Sequence, residues 1–537
     1  MLRDKTHRRI VPRWRPSSSA PSSSDFAVLK KPVARSTQSP DLAGTALRAF
    51  AEDRSIGTAS EALAEALLTR DEGAARDAAT YILQNASEAP APLVRMAREN
   101  SGGSLVQVST PFVDVARARA LLKLSPRNAA IWADMARHYA SEGNKHQALR
   151  CMNTALQLAP DHRWMLRTAS RFLVHQQDYA AAHRLLANHP RTKNDPWLMA
   201  AELACAHVAG KAPKFWKAGN DALRYDRFSS THISELATAI GMMELESGNR
   251  KQAKKLVQRG LLSPTENTLA QVIWAKESKH LGDGLPKLDS LVGARGDAFE
   301  AAYKLRLRRG DVQDALTACQ RWMADEPFAA RPKLESTYVA SLLDDYAMIF
   351  RTAKAALKTD GRLSVGMELN LMFAEISAGR IDARDPGQLL KALSRLKTLR
   401  EIGGPVAVHA HANLALLSYR SGNPTMGREM YREAIEMARK IDGSESAALA
   451  ATFAAREAIL TGAEDGPAQL ASAIELAQRA GSEPCLFYTR KLQALAIEPE
   501  RASQILSPSS ASGFLKPVKI LNISKDPQGF VLTIGRS

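Results

Sequence analysis

The chain has 537 residues, of which 45% are hydrophobic and 6% aromatic, and its formal net charge is +17. This length provides enough chain for a large buried core, and no apolar run reaches the roughly 18 residues that a membrane-spanning helix needs. The four cysteines are far apart, with neither metal-binding nor redox spacing, which favours buried thiols in a reducing compartment. The basic excess predicts acidic partners or surfaces.

Residues 1–44 form a basic arm that is rich in Arg, Ser and Pro. The first 45 residues hold nine Lys or Arg and three Asp, which gives this segment a charge of +6. With few apolar side chains to offset the entropy of ordering, the arm is predicted to be disordered. The pair Arg8-Arg9 lacks the apolar stretch of an export signal. Organelle transit peptides share this composition, but the Ala- and Arg-rich body favours a cytoplasmic bacterial protein.

Residues 45–124 are predicted to be a helical segment that precedes the main repeats. Apolar residues recur at spacings of three and four between Thr45 and Glu99, which is the periodicity of an amphipathic helix. The polar stretch Ser101–Ser104 contains two glycines and interrupts this pattern.

The stretch Ala129–His162 carries the most informative pattern in the chain. Its defining positions are Trp132, Ala136, Tyr139, Gly143, Ala148, Ala155 and Pro160. Ala136 and Ala148 stand where two helices would cross, and a small side chain permits their close approach. Gly143 suits a left-handed helix end, and Pro160 stops the second helix. The pattern therefore predicts a helical hairpin.

This spacing resembles the tetratricopeptide repeat, a 34-residue pair of antiparallel helices. The resemblance implies that Trp132 and Tyr139 are core residues that pack against the neighbouring helix. It also implies further repeats, because one unit cannot bury its own apolar face. A single match would also fit an ordinary helical hairpin in a globular bundle, so the rest of the chain has to distinguish the two.

The pattern recurs along the chain. Gly310, Ala315 and Pro327 repeat the intervals of five and twelve residues found in the first unit, and matching residues recur between residues 408 and 441. The predicted fold class is therefore all-α, a right-handed tetratricopeptide-like α-solenoid with helical repeats over residues 125–500. Residues 501–537 are predicted to be a linker followed by a β-hairpin, because short alternating segments flank Asp526–Gly529.

The sequence shows no pattern that supports catalysis. It lacks a phosphate-binding loop, a dinucleotide fingerprint and a nucleophile elbow. His409 and His411 are two residues apart and would point about 200° apart on a helix, which makes them poor joint metal ligands. The chain is therefore predicted to be a non-enzymatic protein with no cofactor and no metal site.

The resemblance to tetratricopeptide repeats implies a partner-binding groove on the concave face, lined by the first helix of each repeat. The candidate partner-binding residues are Arg137, Trp164, Arg167, Arg171 and His175. The three arginines are expected to line one stretch of the groove beside the tryptophan, with Arg167 and Arg171 exposed. Guanidinium groups there would bind a carboxylate or a phosphate. The peptide-terminus clamp of some family members is not reproduced. The main functional hypothesis is a scaffold that binds an acidic or C-terminal segment of a partner protein.

The alternative hypothesis is a nucleic-acid-associated protein that binds backbone phosphates through basic helix faces and the N-terminal arm. The candidate phosphate-binding residues are Arg250, Lys251, Lys254, Lys255 and Arg259, and a further basic cluster comprises Lys304, Arg306, Arg308 and Arg309. Such runs also occur on solvated helix faces. Salt distinguishes the two hypotheses, because phosphate binding weakens steeply as salt rises.

Overall fold

The computed structural model describes most of the helical part of the chain. The described residues are 13–14, 45–69, 72–101, 126–225, 230–277, 285–382, 385–497, 521–526 and 529–534, with isolated residues at 115, 118–119, 122 and 228. They divide into two compact units, one ending at Ala298 and the other beginning at Phe299. We call these the N-terminal unit and the C-terminal unit. The domain limits at residues 44, 124 and 500 remain predictions.

The described part of the N-terminal unit is helical. Its helices are α1 (Thr45–Glu52), α2 (Ile56–Thr69), α3 (Glu72–Gln84), α4 (Ala91–Asn100), α5 (Ala129–Ser141), α6 (Lys145–Leu158), α7 (Arg163–His175), α8 (Tyr179–Asn188), α9 (Pro196–Val208), α10 (Trp216–Arg224), α11 (Ser230–Glu246), α12 (Arg250–Gly260), α13 (Glu266–Glu277) and α14 (Leu288–Ala294). A short 3-10 helix, Pro190–Asn194, precedes α9.

The C-terminal unit continues with helices of similar length. They are α15 (Phe299–Arg308), α16 (Val312–Asp325), α17 (Ala330–Leu342), α18 (Tyr346–Asp360), α19 (Val365–Ser377), α20 (Pro386–Glu401), α21 (Gly404–Arg420), α22 (Pro424–Lys440), α23 (Ser444–Leu460), α24 (Gly466–Ala480) and α25 (Glu483–Ile497). Near the C-terminus, β1 (Leu521–Asp526) pairs antiparallel with β2 (Gly529–Ile534). How these strands pack on the helices remains a prediction.

The helices pack in the order of a repeat array. Consecutive helices such as α5 and α6 contact each other, and alternate helices such as α7, α9, α11 and α13 also form a contacting series. The alternate series α17, α19, α21, α23 and α25 has the same arrangement in the C-terminal unit. Each unit therefore has the two-layer packing of stacked helical hairpins, and the all-α fold prediction is confirmed. The handedness of the array remains a prediction.

The first repeat has the predicted packing at its small residues. Ala136, Ala148 and Ala155 have no exposed surface, and Gly143 adopts a left-handed φ of 74° at the end of α5. The close crossing of α5 and α6 therefore depends on side chains no larger than a methyl group.

Trp132 and Tyr139 depart from the prediction that they are core residues, because both are only half-buried. The indole Nε1 of Trp132 donates a hydrogen bond to the carbonyl of Pro126 at 2.8 Å. The Tyr139 hydroxyl accepts one from Arg119 at 2.9 Å. Both side chains therefore face the preceding segment, as expected from the spacing of the repeat. Part of each ring stays at the surface beside its polar atom.

The predictions for the arm and the cysteines have different outcomes. Within residues 1–44 the structure describes only Arg13 and Trp14, and both are buried. The disorder prediction is wrong for these two residues, and the rest of the arm lies outside the described residues. All four cysteines are buried and none forms a disulfide. Among the described helices, none combines the length and the apolar character needed to cross a bilayer.

Replacing Gly427 in α22 should destabilise the C-terminal unit. An added Cβ would lie 2.9 Å from the carbonyl oxygen of Ala415 and still closer to the ring of Tyr419 on α21. We expect Gly427→Ala to lower the free energy of unfolding by about 1–3 kcal/mol through overpacking, as measured by urea denaturation. Gly293→Ala is the matched control, because a Cβ there meets no atom within 4 Å. Equal effects of the two substitutions would contradict the close crossing of α21 and α22.

Lys333 in α17 should make the C-terminal unit more stable at alkaline pH. Burial lowers the pKa of Lys333 to about 8, against the opposing influence of Asp360, and its Nζ donates to Thr359 Oγ1 at 3.0 Å. Between the folded pKa and the unfolded value of about 10.4, the unfolded chain binds more protons, so stability rises with pH. The gain should be about 2–3 kcal/mol relative to Lys333→Met. A constant difference in unfolding free energy between the two proteins from pH 7 to 10.5 would contradict the prediction.

Candidate functional site

A surface of the N-terminal unit, formed by α5 and α7, binds part of the arm. We call this surface the groove and define it by Arg137 on α5 and by Trp164, Arg167, Arg171, Phe172 and His175 on α7. Trp14 has no exposed surface, and its ring meets that of Phe172 edge-on with 5.4 Å between centroids. The Nε of Arg137 donates to the carbonyl of Trp14 at 3.2 Å. The groove therefore holds both an indole and a backbone carbonyl.

Arg13 extends this contact along the N-terminal unit. It is 9% exposed, and its guanidinium NH1 donates to the carbonyl oxygen of Asp297 at 3.1 Å. The Asp297 carboxylate is held separately by Arg295, whose Nε lies 3.0 Å from Asp297 Oδ1. Successive arm residues therefore bond to surfaces that lie far apart in the sequence.

Local sequence signals position α5 and α7. Asn128 caps α5, because its Oδ1 accepts hydrogen bonds from the amides of Ala130 and Ile131. The alternate-helix packing then brings α5 against α7, so that Arg137 and Phe172 contact the same arm residue.

Arg167 does not have the predicted exposure. It is 3% exposed and forms a hydrogen-bonded ion pair with Glu235 on α11. Its NH1 donates to the carbonyl of Trp197 at 3.0 Å, and its guanidinium lies 4.1 Å from the centroid of the Trp197 ring. The expectation of an exposed guanidinium is wrong because a carboxylate 68 residues away neutralises it.

Glu235 acts as the acceptor at the centre of this cluster. Its Oε1 accepts from Trp197 Nε1 at 3.2 Å and from Thr265 Oγ1 at 3.1 Å. Burial by itself would raise the pKa of Glu235, but the charge and hydrogen bond of Arg167 and the other donors hold it below its ordinary value. The carboxylate is therefore ionised at neutral pH, and the three groove arginines do not form an uncompensated cationic patch.

A second buried ion pair begins at the first residue of α7. Arg163 and Asp195 form a bidentate pair at 2.7 and 2.8 Å with side chains 1% and 0% exposed. Asp195 Oδ1 also caps α9 by accepting from the amides of Trp197 and Leu198. The ion pair cannot be predicted from the spacing of Arg163 and Asp195, although Asp195 followed by Pro196 is a helix-start signal.

The remaining candidate groove residues differ in their burial. Trp164 is 5% exposed and belongs to the core, whereas Arg137, Arg171 and His175 are half-buried. The structure thus places all five sequence-predicted residues on the two contacting helices. Phe172, which the sequence analysis did not select, supplies the aromatic contact to the arm.

The basic face of α12 is the most exposed of the alternative sites. Arg250, Lys251 and Lys255 are exposed, whereas Lys254 and Arg259 are half-buried. Arg259 also donates to the carbonyl of Leu223 at 2.6 Å, which ties its guanidinium to the protein.

The cluster around residue 306 is not one surface. Lys304 is fully buried, and Arg306 donates to the carbonyl of Asp314 at 3.2 Å, whereas Arg308 and Arg309 are exposed. The four cations therefore do not form a continuous phosphate-binding face.

In the C-terminal unit, side chains from α18, α23 and α25 meet around Asp344. Its carboxylate accepts from Tyr346 OH at 2.9 Å, from Tyr488 OH at 2.9 Å and from Lys491 Nζ at 2.7 Å. Arg456 NH2 lies 3.6 Å from the same carboxylate. Burial opposes ionisation of Asp344, but Arg456 and Lys491 hold its pKa below the ordinary value. Four side chains from three helices therefore converge on one buried negative charge.

Aromatic packing closes the space around this cluster. The rings of Phe373 and Phe453 meet edge-on at 4.9 Å, and Phe453 lies 5.0 Å from the ring of Tyr488. Helices α15 and α25, the first and last of this unit, also contact each other. Aromatic contacts therefore join α19, α23 and α25 beside the ion pairs of Asp344.

His409 and His411 on α21 face different helices. His411 Nε2 lies 3.0 Å from Glu433 Oε2 on α22, whereas His409 Nε2 lies 3.5 Å from Ser446 Oγ on α23. Across the described part of the chain, no group of three or more His, Cys, Asp or Glu side chains is arranged to hold a metal ion.

Comparison with known proteins supports the repeat assignment. Residues 129–162 match the tetratricopeptide repeat family model, which is the segment singled out from its spacing. The match covers one hairpin of the array, and this hairpin is similar to a tetratricopeptide repeat. No curated protein matches the chain.

Solved structures with similar helical arrays include three proteins, each with 12% identity over 86% of this chain. They are yeast Tom70, matched over 97% of its chain with a TM-score of 0.28, the APC/C hetero-tetramer Cut9-Hcn1, over 98% with a TM-score of 0.30, and a human IFIT1 dimer with PPP-AAAA, over 94% with a TM-score of 0.26. With TM-scores this low, the superpositions carry no argument about function.

Proposed function

We propose that the chain is a non-enzymatic interaction scaffold, and that the groove of its N-terminal unit binds an extended segment of a partner protein. The observation that carries this proposal is the complete burial of Trp14 against Phe172, with the Trp14 carbonyl bonded to Arg137. A cytoplasmic location, which rests on composition, is part of the same proposal.

The contacts made by Trp14 have the character of a binding hot spot. A tryptophan buries roughly 150–250 Å² of surface, and such anchors carry most of the energy at peptide-binding surfaces. Arg137 adds a charge-assisted hydrogen bond to a backbone carbonyl, which fixes the direction of the bound segment without reading its sequence. The groove therefore combines one specific pocket with one general backbone contact.

The ion pairs change the ligand that the groove is expected to prefer. Three uncompensated guanidiniums would favour an acidic segment, but Arg167 is neutralised by Glu235 and buried under Trp197. Arg137 and Arg171 remain half-buried on the groove surface. We therefore propose an aromatic anchor on an extended backbone as the principal determinant of binding, with acidic residues as a secondary one.

Peptides selected from a random displayed library against the full-length chain provide the test. At about 150 mM salt, Arg137→Glu should weaken their binding at least tenfold, because a hydrogen bond to a charged group contributes about 1.5–3 kcal/mol. Lys251→Glu on α12 is the matched control, because Lys251 is exposed and lies outside the groove. Selected peptides that bind the Arg137→Glu chain as tightly as the unchanged chain would refute the proposal.

A second candidate function is binding of nucleic-acid phosphates through α12, supported by the exposure of Arg250, Lys251 and Lys255. Combined replacement of Lys251 and Lys255 by Glu should then weaken binding of a single-stranded oligonucleotide and reduce the salt dependence of the remaining affinity. An oligonucleotide affinity that is unchanged by this double replacement would exclude α12 as the binding face.

A further inference from the structure

We propose that Arg13 and Trp14 are an intramolecular ligand of the groove, and that a partner binds by displacing them with its own basic residue followed by a large aromatic residue. This inference rests on the proposed function, because it assumes that the groove is the partner site. It adds the type of partner residues that the groove would bind. It also explains why the unchanged chain would bind an added segment weakly, since its own arm occupies the groove.

The arm contacts resemble those of a bound peptide rather than those of a repeat. Trp14 bonds to a residue 123 positions away, and Arg13 to one 284 positions away. Trp14 and Phe26 are the only aromatic residues in residues 1–44, which are otherwise rich in Arg, Ser and Pro. An aromatic side chain from a polar segment, buried between helices, is the arrangement of a peptide anchor.

The surroundings of Arg13 explain why a basic residue should precede the aromatic one. Arg13 is 9% exposed, and its guanidinium donates to a main-chain carbonyl, that of Asp297. A carbonyl oxygen accepts from any donor long enough to reach it, and Arg provides five such N–H groups. A neutral short side chain at this position would not reach the acceptor.

The covalent connection makes the arm a strong competitor. A tethered ligand binds at an effective concentration set by the length and stiffness of its linker, so its own contacts need not be tight. A free segment with the same contacts therefore binds the unchanged chain more weakly than a chain whose arm has lost its anchor. Replacement of Trp14 should raise the affinity of the groove for a peptide added from solution.

The probe is a fluorescently labelled synthetic peptide with the sequence of residues 8–20, titrated into full-length protein and followed by fluorescence anisotropy. We expect it to bind the Trp14→Ala chain at least tenfold more tightly than the unchanged chain. Trp14→Phe keeps an aromatic anchor and should behave like the unchanged chain, which separates loss of the anchor from loss of folding. A peptide carrying Ala in place of Trp14, and a scrambled peptide of equal charge, should each bind at least tenfold more weakly.

Two results with the arm peptide and the unchanged chain would each overturn the inference. One is equal peptide affinity for the Trp14→Ala, Trp14→Phe and unchanged chains. The other is a concentration-dependent dimer of the unchanged chain that dissociates on Trp14→Ala replacement, because a second copy's arm would then be the occupant. If library-selected peptides need Arg137 but bind equally to the Trp14→Ala and unchanged chains, the proposed function stands and the competition by the arm is refuted. If they do not need Arg137, the proposed function itself fails.

Discussion

Asp344→Asn should lower the free energy of unfolding of the C-terminal unit by about 3–5 kcal/mol, the cost of removing one partner from a buried ion pair. The carboxylate is completely buried, and its loss leaves Arg456 and Lys491 without their shared counter-charge. Asn retains a similar shape and tolerates the left-handed φ of 58° at this position. The change therefore isolates the charge, and its effect is measured by urea denaturation.

Asp442→Asn is the matched control for this substitution. Asp442 also has a left-handed φ, of 52°, but it is exposed, so its replacement should change stability by less than about 0.5 kcal/mol. If the two substitutions had equal effects, the cluster around Asp344 would not stabilise the unit. Asp344→Gly should also destabilise, because relief of backbone strain worth about 1 kcal/mol does not replace the carboxylate.

Arg167→Glu should destabilise the N-terminal unit by at least about 3–5 kcal/mol. The substitution removes the counter-charge of Glu235 and places a second carboxylate beside it, next to the ring of Trp197. Mutual repulsion and burial would then raise the pKa of this carboxylate pair. Thermal and urea denaturation measure the loss.

Lys251→Glu is the control for Arg167→Glu, because it changes the charge by the same two units at a side chain that is not buried. Because Lys251 is exposed on α12, the expected change in stability is within about 0.5 kcal/mol. Adding Glu235→Gln to the Arg167→Glu chain should recover part of the stability, since it removes the repulsion. A fully stable Arg167→Glu chain would show that the ion pair does not form. Because replacing Arg167 should destabilise the fold itself, Arg137 is the suitable position for binding experiments.

The features that could be predicted from the sequence are those set by local geometry. Ala136 and Ala148 mark a helix crossing because no larger side chain fits there, and Gly143 marks a left-handed turn because other residues adopt it at a cost. These constraints act within one 34-residue hairpin, so their spacing in the sequence is sufficient to find them. The placement of the candidate groove residues on two contacting helices followed from the same frame.

Whether those groove residues are exposed or held in buried ion pairs depends on contacts between distant segments. Arg167 pairs with Glu235 over 68 residues, and Arg456 bonds to Tyr346 over 110 residues. No local pattern links such pairs, and an arginine on a helix looks the same whether or not a carboxylate reaches it. The left-handed turn at Asp344 was missed because it carries Asp where the repeat pattern has Gly.

The arm illustrates a different limit of sequence reasoning. Average composition predicts disorder for residues 1–44, but an average over many polar residues conceals a single anchor such as Trp14. Its burial depends on Arg137 and Phe172, which lie on two helices more than 100 positions later. Composition therefore describes the segment and not the residue that binds.

The most direct test of the account is the fluorine NMR resonance of Trp14 in a full-length chain labelled with 5-fluorotryptophan. The chain has seven Trp residues, and the Trp14→Phe chain identifies the resonance of Trp14 by its absence. We predict a buried chemical shift for Trp14 in the free chain, and a move to the shift of solvent-exposed fluorotryptophan when a library-selected groove peptide is added. A solvent-exposed Trp14 in the free chain, or a Trp14 resonance that is unchanged while the peptide binds, would contradict the account.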